Sequence, residues 1–485
     1  MIAVDKELEI ELLKEVYKRS YYEFFKDAFA LLHPGEPYDD NWHIEYLCNR
    51  LQQELFRIRA RKKRQRDIIV NMPFRSSKSL IVTVIYPAWV WSQDPQVKFI
   101  CTSFSDPLSL EHASRSRTLI MSEWYQTLYG DKVILRSDEN TKSFFSTDRY
   151  GFRKSVGTGG QITGSGSDII IIDDPQNPKK ASSEVERQNT IDFYDFTLFS
   201  RLNQPDIGVR IIVMQRLHEE DLSGHLIETR PDDHEHICFP AELTPKTREY
   251  VSPESVLKHY RDGLFWHTRF SKKQLIAYGA ALGSVQYAGQ LQQLPAPEEG
   301  NIIKRDWFEI VPAHTVERDE YKHPIKFYLD TAETEKQEGD ATGICACFKK
   351  DNRLYITNVI EVRKEFHQLI KYIPVFAKAN MYTGGSQIKV EPKSSGKSIV
   401  SQLRTETQLN ISELPAPTDD KLTRATAVTP IIESGRVILI QGAYLPNFMA
   451  QLTSFPNAKH DDMFDAFIHA VTDQLAGGDF DFAFV

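Results

Sequence analysis

The chain is 485 residues long, more than one hydrophobic core usually supports, so two domains with a connector are expected. Hydrophobic residues make up 41% and charged residues 26%, which excludes global disorder, and a net charge of −8 leaves any nucleic-acid contact to local basic patches. The cysteines, Cys48, Cys101, Cys238, Cys345 and Cys347, are odd in number and lack CxxC spacing, which argues against a disulfide framework or a zinc site and for a reducing compartment. The opening MIAVDKELEIELLKE is unlike a secretory signal, and no apolar run approaches the roughly 18 residues of a membrane span, so a cytosolic protein is expected.

Apolar positions recur at helical spacing from Asp5 to about Leu32, and a second helical stretch runs from about Asn41 to Arg61, giving an entry segment over 1–64. Arg57, Arg59, Arg61, Lys62, Lys63, Arg64 and Arg66 crowd its end, where a solvated helix terminus and a phosphate-facing patch are equally good readings. The apolar runs DIIVNM, VKFICTS, SDIIIIDD and VRIIVMQ then alternate with polar or helical segments, so 65–245 reads as a mostly parallel α/β domain. Mixed text over 246–324, including LPAPEEGN, suits a connector. In 325–485, IKFYLDTAE, TGICACFKK and RLYITNVIEVR read as successive strands, followed by a helix from about Glu365 to Asn380 and a strand at QIKVEP, the outline of an α+β nuclease sheet. The tail GGDFDFAFV is acidic and aromatic.

Three phrases carry nucleotide chemistry. In DIIVNMPFRSSKSLIVTVIYPAW a strand, a polar turn and a helix beginning near Lys78 have the layout of a phosphate-binding loop: Lys78 can reach β and γ phosphates, and the Ser79 hydroxyl can ligate Mg²⁺. Both glycines of GxxxxGK[ST] are replaced, by Met72 and Ser77, so SSKS alone is more often an ordinary helix cap than an ATP site. SDIIIIDDPQNP is a buried strand ending in two carboxylates, which assigns Asp173 to metal and Asp174, where glutamate is more usual, to water activation. In VRIIVMQRLHEEDLSGHL, Gln215 and Arg216 close a strand where a residue can sense the γ-phosphate; strand-end polarity facing solvent accounts fully for Arg216 and less well for the whole phrase.

The C-terminal half carries a second constellation. Asp330 lies within an apolar strand, where a carboxylate is costly unless it binds metal or is well hydrogen-bonded. Glu391 ends a later strand, and Asp461, Asp462 and Asp465 cluster in KHDDMFDAFIHA at a helix start, where Asp461 and Asp465 share one face and Asp462 turns away. Phosphodiester hydrolysis by two Mg²⁺ or Mn²⁺ ions needs three or four such carboxylates, and Asp330, Glu391 and Asp461 fit that need. Asp462, Asp465, His460 and Asp340 stand behind them, with helix capping the alternative for Asp462. Lys393, Lys397, Lys421 and Arg424 are candidates to position a DNA backbone.

In this order, NMPFRSSKS, GTGGQITGSGSDIIIIDDP, MQRLHEEDLSGHL, LGSVQYAGQLQQLPAPEEGNIIKRDWF, FYLDTAE and HDDMFDAF resemble the large terminase subunit of tailed bacteriophages over nearly the whole chain. The resemblance implies a P-loop ATPase of the additional-strand type followed by an RNase H-like nuclease. It implies an ATP-driven motor that assembles as a homo-oligomeric ring on the portal protein, works with a small terminase subunit, pulls double-stranded DNA into the capsid and cuts the concatemer, in the host cytoplasm. Arg75, Ser76, Ser77, Lys78 and Ser79 then form the Walker A loop. A serine stands at Ser165, where such chains often carry arginine, so the arginine finger is sought elsewhere, at Arg153 or Arg117. Two other classes also fit: an adaptor with an inactive site, given Ser77 and Asp174, and a resolvase-like nuclease whose N-terminal half only binds DNA.

Overall fold

The computed structural model describes residues 6–162, 164–295, 302–331, 341–392, 394–417, 419–455 and 462–476. Two compact units are present, Met1–Ala277 with Val285–Pro297, and Tyr278–Ser284 with Glu298–Val485.

The first unit holds β1 (Asp67–Asn71), β2 (Phe99–Ser103), β3 (Leu135–Asn140), β4 (Phe144–Thr147), β5 (Phe152–Gly157), β6 (Ile169–Asp173), β7 (Val209–Met214) and β8 (His234–Cys238). They form one sheet in the order β3-β4-β5-β2-β6-β7-β1-β8, parallel from β5 to β8 with an antiparallel edge at β3 and β4. The runs IIIID of β6 and VRIIVM of β7 are buried at every position, as parallel strands covered on both faces must be. Strand β7 lies between β1 and β6, so one strand separates the lysine–serine loop from the paired carboxylates. This is the additional-strand order.

The entry region is three helices. The helical spacing that reads as continuous to Leu32 breaks at Ser20, whose side chain caps Tyr21–Leu32 by accepting from the Glu23 amide at 3.1 Å. The third helix spans Trp42–Arg59. Aromatic side chains lock these helices to the helical segment Leu80–Gln93: the Tyr21 hydroxyl donates to the Ile81 carbonyl at 2.5 Å, and the Trp89 indole donates to the Tyr17 carbonyl at 2.7 Å. Of the basic cluster, Arg57 pairs with Glu54 and Arg64 with Asp67, whereas Arg59, Arg61, Lys62, Lys63 and Arg66 are exposed.

In the second unit β9 (Glu309–Val311), β10 (Lys326–Asp330), β11 (Thr342–Lys350), β12 (Arg353–Val362), β13 (Gln387–Val390), β14 (Ile411–Glu413) and β15 (Val437–Ile440) pair in the order β14-β13-β10-β11-β12-β15-β9. The β10-β11-β12 meander is antiparallel, and β13 joins β10 in parallel. Asp351 and Asn352, at φ +50° and +59°, make the two-residue β11–β12 turn, where a short polar side chain tolerates the left-handed region. Alternation along β10 sends Phe327 and Leu329 to a core with the helices Phe366–Ala379 and Ser394–Glu406. Tyr328 goes to the opposite core, with the helix Asp462–Val471. Period two then places Asp330 on the face of that last helix.

Candidate active sites

In the first unit, chain reversal after β1 is made without glycine. Arg75 and Ser77 both adopt positive φ, +56° and +61°, a conformation in which a side chain costs roughly 1 kcal/mol or more per residue. Two outside donors hold the loop carbonyls. The Arg269 guanidinium donates to the Arg75 carbonyl at 3.1 Å, and His43 Nε2 lies 2.9 Å from the Ser76 carbonyl. A carbonyl can only accept, so Nε2 carries the proton, and Nδ1 accepts from the Asn41 amide at 2.6 Å. Burial drives the His43 pKa down to about 3, which keeps this tautomer neutral. Sequence reasoning missed both residues, because they lie far from the loop along the chain.

Beyond the loop the chain enters a π-helical stretch, Leu80–Ile85, that continues as the helix Tyr86–Gln93. The Ser79 hydroxyl donates to Asp173 Oδ1 at 2.8 Å, Thr83 donates to Oδ2 at 2.6 Å, and Lys78 Nζ lies 2.9 Å from Asp174 Oδ2. All four predicted side chains therefore meet at the carboxyl edge of the sheet. Burial raises both carboxyl pKa values; the Thr83 hydrogen bond and the Lys78 and Ser79 interactions oppose it at Asp173, and Lys78 opposes it at Asp174. Asp174 is itself at φ +42°, its Oδ1 accepting the Gln215 amide at 3.1 Å. Gln215 is 3% exposed, and its side-chain carbonyl has no hydrogen-bond partner among the described residues. Such an orphaned acceptor beside a hydroxyl and two carboxylates is a donor set that fits a hydrated divalent cation with nucleotide. Arg216 instead closes its own turn, its guanidinium on Asp221.

Ser76 is buried and Arg75 exposed. Arg153 corrects an expectation: it is 0% exposed and donates to the Thr83 carbonyl at 2.7 Å, a buried strut between β5 and the stretch Leu80–Ile85 with no exposed surface to offer in trans. Arg117 is half-buried and donates to Asn140 at 2.6 Å.

In the second unit Asp330 ends β10 and Glu391 follows β13. These strands are parallel neighbours, with Leu329 opposite Val390, and the Glu391 amide donates to the Leu329 carbonyl at 3.0 Å, so the two carboxylates sit side by side. Asp330 is 5% exposed and Glu391 1%. A third group joins them from the helix Asp462–Val471: His469, with ligating atoms of all three within 4.8 Å of one another. Two buried carboxylates and an imidazole fit a divalent metal ion. Sequence reasoning missed His469 too; its signal is the four-residue spacing from Asp465, which puts both on one helix face.

That helix comes close because of a glycine. Gly343 pairs with Asp330 across β10 and β11, and a Cβ there would stand 1.9 Å from the Asp462 carbonyl oxygen. The carboxylate of Asp465, expected as a ligand, is engaged by Lys421 at 2.5 Å and lies 3.8 Å from Arg424, both on the helix Lys421–Glu433, and it is not among the three clustered groups. Lys421 and Arg424 are correspondingly turned onto a carboxylate, while Lys397 is exposed. Asp462 opens the helix and is half-buried. Asp461, His460, Asp340 and Lys393 lie outside the described residues.

A family model described as Terminase RNaseH-like domain matches residues 327–473, the span from β10 through the His469 helix. Whole solved structures are similar over both units. The large terminase of a thermophilic bacteriophage, in complex with ADP, matches at TM-score 0.52 and 13% identity, over 88% of this chain and 99% of that one. The complex of the same phage terminase with ATP-gamma-S gives 0.50 and 13%, over 87% and 98%. At that identity the likeness is one of fold: a mostly parallel α/β unit and an RNase H-like unit in one chain, as in the large terminases. No curated protein sequence matches the chain significantly.

Proposed function

We propose that this terminase is a viral DNA-packaging motor: ATP hydrolysis in the first unit drives double-stranded DNA into a capsid, and the second unit cuts the concatemer as a metal-dependent endonuclease. The observation that carries the reading is the meeting of Lys78 with Asp174 and of Ser79 with Asp173 at one sheet edge, in a chain whose other unit is a terminase nuclease domain.

At the ATPase edge, Lys78 turns from Asp174 to the β and γ phosphates, and Arg75, exposed on the loop, adds charge there. Amides of residues 76–79 face the phosphates at the helix start. Ser79 and Asp173 hold Mg²⁺, which when bound neutralises charge on the phosphate oxygens. Asp174, released from Lys78, takes the proton of the attacking water, and its raised pKa suits a base. Gln215 accepts a hydrogen bond from that water through its orphaned carbonyl and reports the γ-phosphate to β7.

At the nuclease edge, Asp330 and Glu391 would hold Mg²⁺ or Mn²⁺, with Asp462 contributing from the helix start and Asp461, its neighbour in sequence, as a further ligand. An ion held there would lower the pKa of a water and stabilise the leaving oxygen. Exposed Lys397 and the basic stretch Arg59–Arg66 contact DNA phosphates. A homo-oligomeric ring on the portal, charged with DNA by a small terminase subunit in the host cytoplasm, is the assembly this activity requires. Of the two arginines considered as a finger, Arg117 remains.

The test is ATP turnover with and without double-stranded DNA. The motor reading expects DNA to stimulate hydrolysis and Lys78→Ala to abolish it; turnover indifferent to both contradicts it.

A further inference from the structure

A second crevice opens at the carboxyl edge of the first unit's sheet. Strands β2 and β6 are parallel neighbours, and the chain leaves them toward opposite faces. After β2 comes the helix Asp106–Met121, whose His112 Nδ1 lies 3.5 Å from Asp173 Oδ2, on the face that Asp173 shares with Thr83. After β6 come the helix Glu184–Asp192 and the stretch Phe193–Leu198, which share a core with Ile170 and Ile172; period two along β6 puts that core on the face away from Asp173. Where neighbouring parallel strands part in this way, ligands bind outside their carboxyl ends. A cavity of about 670 Å³ lies there, lined by Phe104 after β2, Thr158 after β5, Gln176 after β6, and Arg187, Phe193 and Phe196 beyond; Lys78 and Asp174 do not line it. Its polar wall is unsatisfied. Gln176 is 5% exposed, and neither the oxygen nor the nitrogen of its carboxamide has a hydrogen-bond partner among the described residues. Arg187 is buried too: Nη1 donates to the Ala181 and Ser182 carbonyls, and Nε has no partner among the described residues. Buried polar groups are normally paired.

We propose that this cavity is a nucleobase site separate from the phosphate loop: the Gln176 carboxamide pairs with a base edge, Phe196 stacks on the base, and Arg187 Nε donates to its phosphate. A carboxamide presents one acceptor beside one donor, which adenine matches at N7 and N6. Phe196 lines the cavity and is nevertheless 79% exposed, so its ring stands at the rim with a face open to stacking. A peptide segment offers such an edge but no planar face for that ring, so the nucleobase is favoured. The acids that also line the cavity are engaged, Glu186 by Lys180 at 3.0 Å and Asp192 by Gln188 at 2.8 Å. The base comes from a free nucleotide or from an unpaired nucleotide of a DNA strand, and the experiment separates the two.

The full chain is titrated with AMP in one arm and with a single-stranded deoxyadenosine oligonucleotide in the other, and amide hydrogen exchange reads protection over residues 175–197. The parent chain, Lys78→Ala, Gln176→Leu and Phe196→Ala are compared; the last alters an exposed side chain and so leaves folding intact. The proposal expects protection of 175–197 by at least one probe, in the parent and equally in Lys78→Ala. It expects Gln176→Leu and Phe196→Ala each to need at least about tenfold more of that probe for half-protection. Protection by AMP assigns the site to free nucleotide, and protection by the oligonucleotide alone assigns it to a DNA strand. No protection of 175–197 by either probe, protection undiminished in either cavity variant, or protection lost in Lys78→Ala overturns the proposal. The last outcome would place the binding at the ATP loop, and the motor reading stands or falls separately on ATP turnover.

Discussion

His43 Nε2 lies 2.9 Å from the carbonyl oxygen of Ser76, so a residue of the entry region holds the phosphate loop from outside. A loop with glycines adopts its turns freely; this one has Arg75 and Ser77 at positive φ and is kept there by hydrogen bonds to its carbonyls. Removing the donor leaves a buried acceptor unsatisfied, a cost of about 1–3 kcal/mol. His43→Ala should lower kcat/KM for ATP by about tenfold or more while plasmid cleavage is unchanged. Steady-state ATPase and nicking assays on one preparation check this.

Ser77 makes a complementary case. At φ +61° glycine relieves strain, so Ser77→Gly should keep ATP turnover and raise Tm by about 2 °C. Ser77→Val forces a β-branched residue into the same region and should abolish turnover. Calorimetric melting and ATPase rates of the two variants decide the point.

Gly343→Ala tests how the helix reaches the nuclease edge. The added methyl meets the Asp462 carbonyl at 1.9 Å and pushes the helix start away from Asp330. A misplacement near 1 Å costs about a hundredfold, so cleavage should fall by that order with ATPase intact. Equal cleavage by the variant would show that the helix start is not part of the nuclease centre.

The pH dependence of stability rests on three buried neutral histidines. Burial lowers His43 to about 3 and His112 and His236 to about 4, against 6.5 when unfolded. Folded pKa values below the unfolded one mean that stability is complete above pH 6.5 and declines as pH falls toward 4, because only the unfolded chain takes up the protons. The slope is about 1.4 kcal/mol per pH unit for each histidine. Urea unfolding at about pH 7.5 and about pH 5, on either side of the unfolded histidine pKa, should show a smaller difference for His236→Gln than for the parent chain.

How much of this is legible in sequence depends on whether the signal is local. Apolar runs mark the parallel strands β1, β2, β6 and β7, and the polar residues at the ends of those runs mark Lys78, Ser79, Asp173 and Asp174; the structure brings these four together. Strand β8, HEHIC, is polar in composition and gives no strand signal, and β5, FRKSVG, hides a buried Arg153 behind an arginine that reads as surface. Asp330 and Glu391 are visible as carboxylates inside apolar strands. The diversion of Asp465 to Lys421 is not, because the partner comes from a helix some forty residues earlier, a tertiary fact. His469 is available from its spacing alone, but the acidic residues around it draw the reading away.

The measurement that bears most directly on the central claim is a crossed assay of Lys78→Ala and Asp330→Asn, each scored for DNA-stimulated ATP hydrolysis and for plasmid cleavage with Mn²⁺. The account predicts a clean dissociation: Lys78→Ala abolishes hydrolysis and still cuts, and Asp330→Asn abolishes cutting and still hydrolyses ATP. A parent chain that does neither with DNA present, or cleavage that survives Asp330→Asn, would contradict it.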